Sequence, residues 1–270
     1  MRRRLSDFLI DRNAERAFGV IDRVAYWRRL LLTAHANRAF RRANPDFPVP
    51  PLPLLWDAQA TTDWAEYKRS GEETAALCWD LMRPCLDVSP SRPQRVCEWG
   101  CGPARILRHL PGRASGRAIE FYGADYNRES IQWCRDHVTG VTFMANDLAP
   151  PLPFESRFLD LLFARSVLTH LSEELHYRWV GEIVRVLKPG GVFILTTHGD
   201  AYRQRLTARE RARYDAGEFV IRTLAAEGRK LFGAFHSPAF VRHRLLAGLT
   251  VLEHRPGQGT QDIWITRVPG

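Results

Sequence analysis

Residues 96–105 read Val96-Cys97-Glu98-Trp99-Gly100-Cys101-Gly102-Pro103-Ala104-Arg105, and the reading of this stretch decides the fold. A short apolar run ends in an acid and meets two glycines spaced by one residue. Glycines at 100 and 102 permit a tight turn and a close approach of backbone to ligand, and Pro103 suits the first turn of a helix. The stretch therefore reads as strand, turn and helix start. A dinucleotide loop of the form G-x-G-x-x-G needs a small residue at position 105, where an arginine stands. A pyrophosphate also disfavours a carboxylate at the turn, whereas Glu98 suits a ligand carrying an ammonium group.

Downstream, short apolar runs alternate with helical stretches. RVCEW (95–99), AIEFYGAD (118–125), VTFMAND (141–147), FLDLLFA (158–164) and GVFILTT (191–197) are separated by ARILRHL (104–110), RESIQWCRDHV (128–138) and SEELHYRWVGEIVRVL (172–187). This alternation marks a parallel sheet with crossover helices. Ser172 is placed to cap the longest of these helices, with Glu173 and Glu174 in its first turn, and Lys188-Pro189-Gly190-Gly191 stops it. Thr207 and Glu210 have capping-box spacing, and Ser237-Pro238 opens a helix that Gly248 closes. LTVLEHR and QDIWITRV, joined by a PGQG turn, read as an antiparallel pair that ends the sheet. In a doubly wound sheet the ligand lies beyond the carboxyl ends of the strands, at the switch point. The second strand ends at Gly123-Ala124-Asp125-Tyr126, where an acid can accept both hydroxyls of a ribose. The third ends at Asn146-Asp147-Leu148, where a carboxylate can accept an exocyclic amine. Acids at the ends of three consecutive strands match an amino acid joined to a nucleoside.

Upstream of the sheet, residues 14–43 place Ala17, Val20, Ile21, Val24, Tyr26, Trp27, Leu30 and Leu31 among arginines near helical spacing. NPDFPVPPLPLLW (44–56) then packs five prolines between positions 45 and 53, which predicts an extended linker. A second helix is expected from about Gly71 to Leu86, with Pro90 and Pro93 separating it from the sheet. The domain division that follows is a helical extension with a proline-rich linker at 1–90 and the sheet domain at 91–270. The net charge of +9 is uneven: residues 1–42 hold 11 Arg against 4 acids, residues 43–199 hold 16 basic against 19 acidic, and residues 200–270 hold 12 against 7. A uniform nucleic-acid surface does not fit that distribution. The apolar stripe of the arginine-rich arm either packs on the sheet domain, as a cap over the ligand, or lies on an anionic membrane.

Hydrophobic residues make up 45% of the 270-residue chain and charged residues 26%, an ordinary globular balance. Five cysteines without a C-x-x-C pair argue against a disulfide framework or structural zinc. MRRRLSDFLIDR starts like a signal peptide, but Asp7 and Asp11 interrupt the apolar run, and no run approaches the ~20 apolar residues of a membrane span. The expected compartment is the cytoplasm.

The segment from about 94 to 200 resembles a class I S-adenosylmethionine-dependent methyltransferase. E-W-G-C-G-P-A resembles that family's acidic-x-G-x-G-x-G loop with Ala104 in place of the third glycine. G-A-D-Y, N-D-L, F-L-D-L-L-F-A-R-S-V-L-T-H-L and L-K-P-G-G-V-F-I-L follow in the family's order and spacing. The resemblance implies a mostly parallel seven-stranded Rossmann-like sheet and S-adenosylmethionine as cofactor. By it, Glu98 holds the methionine ammonium directly or through water, Gly100 and Gly102 line the methionyl moiety, and Asp125 binds the ribose. Tyr126 lies against the adenine, Asn146 and Asp147 flank it, and Leu148 and Ala164 complete the pocket. His170 and His198, after the fourth and fifth strands, are the candidate general bases. Arg165, His236, Gln261 and Asp262 are the candidate acceptor contacts, with residues 201–235 as a lid. The strand ends offer no ligand cluster, so no metal is expected.

The implied reaction is methyl transfer to an oxygen, less readily a nitrogen, of a small-molecule or glycan acceptor. Base N-methylation is disfavoured, because Ala164-Arg165-Ser166-Val167 replaces the usual [DNS]-P-P-[YFW]. The alternatives are an RNA or protein methyltransferase that uses the basic arm, and a nicotinamide-dependent reductase. If Asp125 binds the ribose, Asp125→Ala removes two charge-assisted hydrogen bonds of about 1.5–3 kcal/mol each, and affinity for S-adenosylmethionine, measured by calorimetry, falls at least ~10-fold.

Overall fold

The computed structural model describes residue 10 and residues 14–88, 91–257 and 260–270. Asp7 and Asp11, Pro90 and the centre of the PGQG turn lie outside the described residues.

The alternation of runs builds one sheet. Its strands are β1 (Gln94–Trp99), β2 (Ile119–Asp125), β3 (Thr142–Ala145), β4 (Leu159–Ala164), β5 (Leu187–Thr197), β8 (Thr250–Arg255) and β9 (Asp262–Arg267). The order is β3-β2-β1-β4-β5-β9-β8. Strands β1 to β5 pair in parallel, and β9 inserts antiparallel between β5 and β8. The order in which strands are added reverses between β1 and β4, which opens a crevice at their carboxyl ends.

Each strand alternates its side chains between two cores. Cys97, Leu162, Phe193 and Leu195 meet Trp179 and Ile183 of α6 (Glu173–Val186) on one face. Val96, Leu161, Phe163 and Ile194 meet α3 (Trp64–Met82) through Leu81 and Met82 on the other. Burying a large apolar side chain in such layers contributes about 1.5–3 kcal/mol, so two-sided burial explains the nearly continuous apolar runs.

Several local expectations change in the structure. The proline stretch does not stay extended: α2 (Leu52–Gln59) starts inside it, because Pro51 stands at the N-cap and Pro53 in the first turn, where a missing N–H costs nothing. Helix α3 begins seven residues before Gly71, at Trp64, since the Asp63 carboxylate accepts the amides of Ala65 and Glu66. Residues 104–110 form no regular helix. A 3-10 turn at Leu107–His109 leads into the single turn α4 (Leu110–Arg113), because a continuing helix would drive the Pro111 ring into the Leu107 carbonyl. After Ser237, one α turn (α8, Pro238–Phe240) passes into a π turn at Val241–Leu245. Ser172 caps α6 as expected, and Thr207 and Glu210 form the capping box of α7 (Ala208–Asp215).

The largest departure concerns α1 (Glu15–Ala43), at 29 residues the longest helix described. Its apolar stripe does not pack on the sheet domain: Val20, Ile21, Val24, Trp27, Leu31 and Leu32 are all exposed. Its buried residues are polar, Thr33 and Asn37. Thr33 Oγ1 lies 2.8 Å from Thr62 Oγ1, the Asn37 amide donates to the Thr62 carbonyl at 2.8 Å, and the Asn37 carbonyl accepts the Trp64 amide at 3.1 Å. Removing the Asn37 side chain leaves two buried backbone groups unpaired at about 1–3 kcal/mol each. Asn37→Ala is therefore expected to lower unfolding free energy by about 2–4 kcal/mol, while Leu31→Ala changes it by less than about 0.5 kcal/mol, both read from denaturant titrations.

Candidate active site

The crevice at the carboxyl ends of β1, β2 and β4 is lined by Gly100, Gly102, Asp125, Tyr126, Asn146 and Asp147, with Leu148, Arg165 and His170 on the same walls. The Gly100–Gly102 turn is shaped by its backbone. Gly100 has φ +76, and a Cβ there would stand 2.2 Å from Val167 Cγ2. Gly102 has φ +49. Ala104, in the position of the family's third glycine, also takes a positive φ of 53, a conformation that a Cβ strains by about 1–2 kcal/mol.

Asp125, at the end of β2, holds this turn. One carboxylate oxygen accepts the Gly102 amide at 2.7 Å and the other the Asn127 amide at 2.8 Å. Burial raises its pKa, and those two amides oppose the rise. Glu98 is buried at the end of β1 and is not among the residues that line the crevice; its Oε2 is buried and has no hydrogen-bond partner among the described residues. Burial pushes its pKa up to about 8, against the opposing charges of Arg105 and Arg165. Asn146 likewise has a buried, unpartnered Oδ1, while its amide donates to the Asp147 carbonyl at 2.6 Å. Asp147 is exposed and paired with Arg128 at 2.9 Å. Ala164 is buried at the end of β4.

The lid is real secondary structure: α7 and a hairpin of β6 (Val220–Thr223) and β7 (Phe232–Phe235). Its tip closes on the crevice at Gly228, whose amide donates to the His170 carbonyl at 2.9 Å and whose carbonyl accepts the Tyr126 hydroxyl at 3.0 Å. His170 lines the crevice, and its Nδ1 lies 2.8 Å from the Phe232 carbonyl. Facing a carbonyl, that nitrogen must carry the proton, so Nε2 keeps its lone pair. Burial lowers the His170 pKa, which keeps the ring neutral near pH 7.

The other sequence-derived candidates stand elsewhere. His198 is held at Nδ1 by the Ala234 carbonyl at 3.0 Å and stacked between Tyr202 and Phe235, and burial pushes it down to about 3. His236 is fully buried, with Nε2 3.0 Å from Nε2 of His176. His176 Nδ1 faces the Ser172 carbonyl at 2.7 Å and so carries its proton; His236 Nε2 is then the donor of the pair. Gln261 is one step behind the wall: its Oε1 accepts the Ser166 hydroxyl at 2.8 Å and the Thr196 hydroxyl at 2.6 Å, and Ser166 lines the crevice with φ +62. Asp262 is buried in the β8–β9 hairpin, bound to His254 Nε2 at 2.8 Å and to the Gly257 amide at 2.9 Å. His236 and Asp262 are thus buried away from the crevice lining, His236 with its Nδ1 unpartnered among the described residues, and Gln261 reaches the lining only through Ser166.

Several wall residues were missed in the sequence, among them four from segments outside the strand-end motifs. Leu54, Asp57 and Ala58 belong to α2, which the proline count concealed, and Lys230 comes from the lid, where it pairs with Asp22 at 2.9 Å. The donor set fits the expected cofactor: two buried, unpartnered carbonyl or carboxylate oxygens, a glycine turn open to backbone approach, and a strand-end acid.

Residues 97–195 match the family model described as a methyltransferase domain. The chain is 33% identical over 108 residues to a fatty-acid O-methyltransferase of Mycolicibacterium smegmatis, a match covering 38% of this chain and 36% of that protein. It is 31% identical over 119 residues to a tRNA (carboxymethyluridine(34)-5-O)-methyltransferase of Arabidopsis thaliana, covering 44% and 27%. The matches therefore span about a third of the length of those relatives. A crystal structure of an S-adenosylmethionine-dependent methyltransferase from Methanosarcina mazei superposes with a TM-score of 0.52 at 17% identity, over 70% of this chain and 97% of that one. Strand order, the glycine turn and the matched segment together show an S-adenosylmethionine-dependent methyltransferase domain at residues 97–195 on a sheet of the class I, Rossmann-like fold.

Proposed function

We propose that the chain transfers a methyl group from S-adenosylmethionine to an oxygen of a small-molecule or glycan acceptor, with His170 as the general base. The observation that carries this reading is His170 itself, a neutral imidazole on the crevice wall whose Nδ1 is fixed by Phe232 and whose Nε2 has no protein partner among the described residues. Both curated relatives carry oxygen methylation in their names, which supports an oxygen acceptor.

Bound in the crevice, the cofactor supplies an electrophilic methyl on a sulfonium. The chain has to hold that group, exclude water and take a proton from the attacking hydroxyl. The Gly100–Gly102 turn would hold the methionyl end, with Glu98 behind it meeting the ammonium through water, Asp125 the ribose, and Asn146, Leu148 and Tyr126 the adenine. Arg165, exposed on the wall beside Ser166, would meet the acceptor, and the lid tip at Gly228 would close over both.

His170→Ala is expected to lower kcat by about 100-fold or more with little change in cofactor affinity; an unchanged kcat in a methyl-transfer assay removes His170 from the mechanism. A second outcome follows from Glu98. With its pKa near 8, the carboxyl is protonated at pH 6–7 before the cofactor binds. An ammonium group favours the ionised form, so binding releases a proton, and affinity rises with pH by up to about 10-fold per unit below pH 8. Above about pH 8 the ammonium itself deprotonates and the rise ends. Calorimetry across this range should show that acid limb in the native chain and its disappearance in Glu98→Gln.

A further inference from the structure

α1 buries Thr33 and Asn37 on its inner face, beside the half-buried Tyr26 and Phe40, yet leaves its longest apolar stripe facing outward, unlike a helix that gives that stripe to a core. Val20, Val24, Trp27 and Leu31 follow one another at intervals of four, three and four residues along a single stripe, with Ile21 and Leu32 widening it, and these six are 51–76% exposed. Arg16, Arg23 and Arg28 flank the stripe, and Arg38 and Arg42 continue it toward the helix end; all five are exposed. None of the five has a carboxylate partner among the described residues. The helix's acids are kept away from this face. Asp22 turns inward to Trp56 Nε1 at 3.0 Å and Lys230 at 2.9 Å, and Glu15 falls on the opposite side by helical periodicity.

We propose that this face of α1 docks the protein on a bilayer containing anionic lipid, the apolar stripe entering the acyl boundary and the arginines meeting headgroup phosphates. A second copy of the chain is the poorer occupant, since facing two such helices would juxtapose ten arginines with no acid between them. A grooved protein partner is less suited, because it would have to supply acids for five unpaired arginines, whereas an anionic headgroup layer meets them without a specific surface. The helix would lie on the membrane, for no helix among the described residues is long and apolar enough to cross one. Its inner face carries α2 by the Tyr26–Trp56 ring contact at 5.6 Å, and α2 supplies Leu54, Asp57 and Ala58 to the crevice. Docking therefore holds the crevice about one helix diameter, ~10 Å, from the lipid.

The test needs no activity assay and is independent of the acceptor. The full chain is sedimented with vesicles of phosphatidylcholine, with or without phosphatidylglycerol, at low and high salt, beside the double variant Val24→Asp/Leu31→Asp. The expected result is pelleting with phosphatidylglycerol vesicles at low salt, weakened by high salt, and at least ~10-fold lower partitioning of the double variant with an unchanged melting curve. Three results overturn the proposal: native protein left in the supernatant with phosphatidylglycerol at low salt, a double variant that pellets like the native chain, or a dimer in light scattering that the double variant splits, which would make a second copy the occupant.

Discussion

The carboxylate of Asp125 ties the two loops on which the crevice depends. It accepts the Gly102 amide from the loop after β1 and the Asn127 amide ahead of α5 (Arg128–His137), so one buried side chain fixes the glycine turn against the start of the next helix. The backbone reinforces the bond, since Gly100 and Cys101 both donate to the Ala124 carbonyl. Around that junction α3 presses closely enough that a Cβ on Gly71 would stand 2.3 Å from the Arg105 carbonyl, and Tyr67 donates to the Pro103 carbonyl at 2.7 Å. Arg105, which excludes a dinucleotide loop, instead reaches the Ser70 carbonyl at 2.9 Å. The residue that breaks one cofactor motif is the bolt between turn and α3.

The same economy governs the lid. Alternate residues from β7 onward meet histidines from the sheet's ends: the Phe232 carbonyl meets His170, the Ala234 carbonyl meets His198, and the His236 ring meets His176. Burial lowers the pKa of all four imidazoles, so each is a neutral hydrogen-bonding group; His170, His198 and His236 have one nitrogen committed and His176 both. Among them His170 alone also lines the crevice. Imidazoles that hold a lid and an imidazole that removes a proton can thus come from one set, separated only by which ring keeps a lone pair facing the cleft.

Polar docking of α1 has a physical logic of its own. A helix that gave its apolar stripe to the core would have nothing left for an interface, and burying Thr33 and Asn37 is tolerable only because each finds a partner on the connector at Thr62 and Trp64. The Asp22–Lys230 pair also joins this helix to the segment that carries Lys230 on the crevice wall.

Sequence alone determined the sheet and its ligand end. Runs buried on two faces must be apolar throughout, the close approach at Gly100 admits no Cβ, and an acid ending an apolar run stands out; each leaves a mark on residue type, which is why β1 to β5, the glycine turn and the cap at Ser172 were legible and why Glu98 and Asp125 drew notice. Tertiary structure decided what residue type leaves open. A histidine's role depends on which carbonyl its Nδ1 meets, and His170, His198 and His236 are alike in sequence but not in surroundings. Gln261 and Asp262 look like acceptor contacts until Ser166, Thr196 and His254 claim their oxygens. Periodicity gave α1 a helix with an apolar stripe, yet which side faces the protein was set by long-range partners at Thr62, Trp56 and Lys230, and no local pattern encodes those.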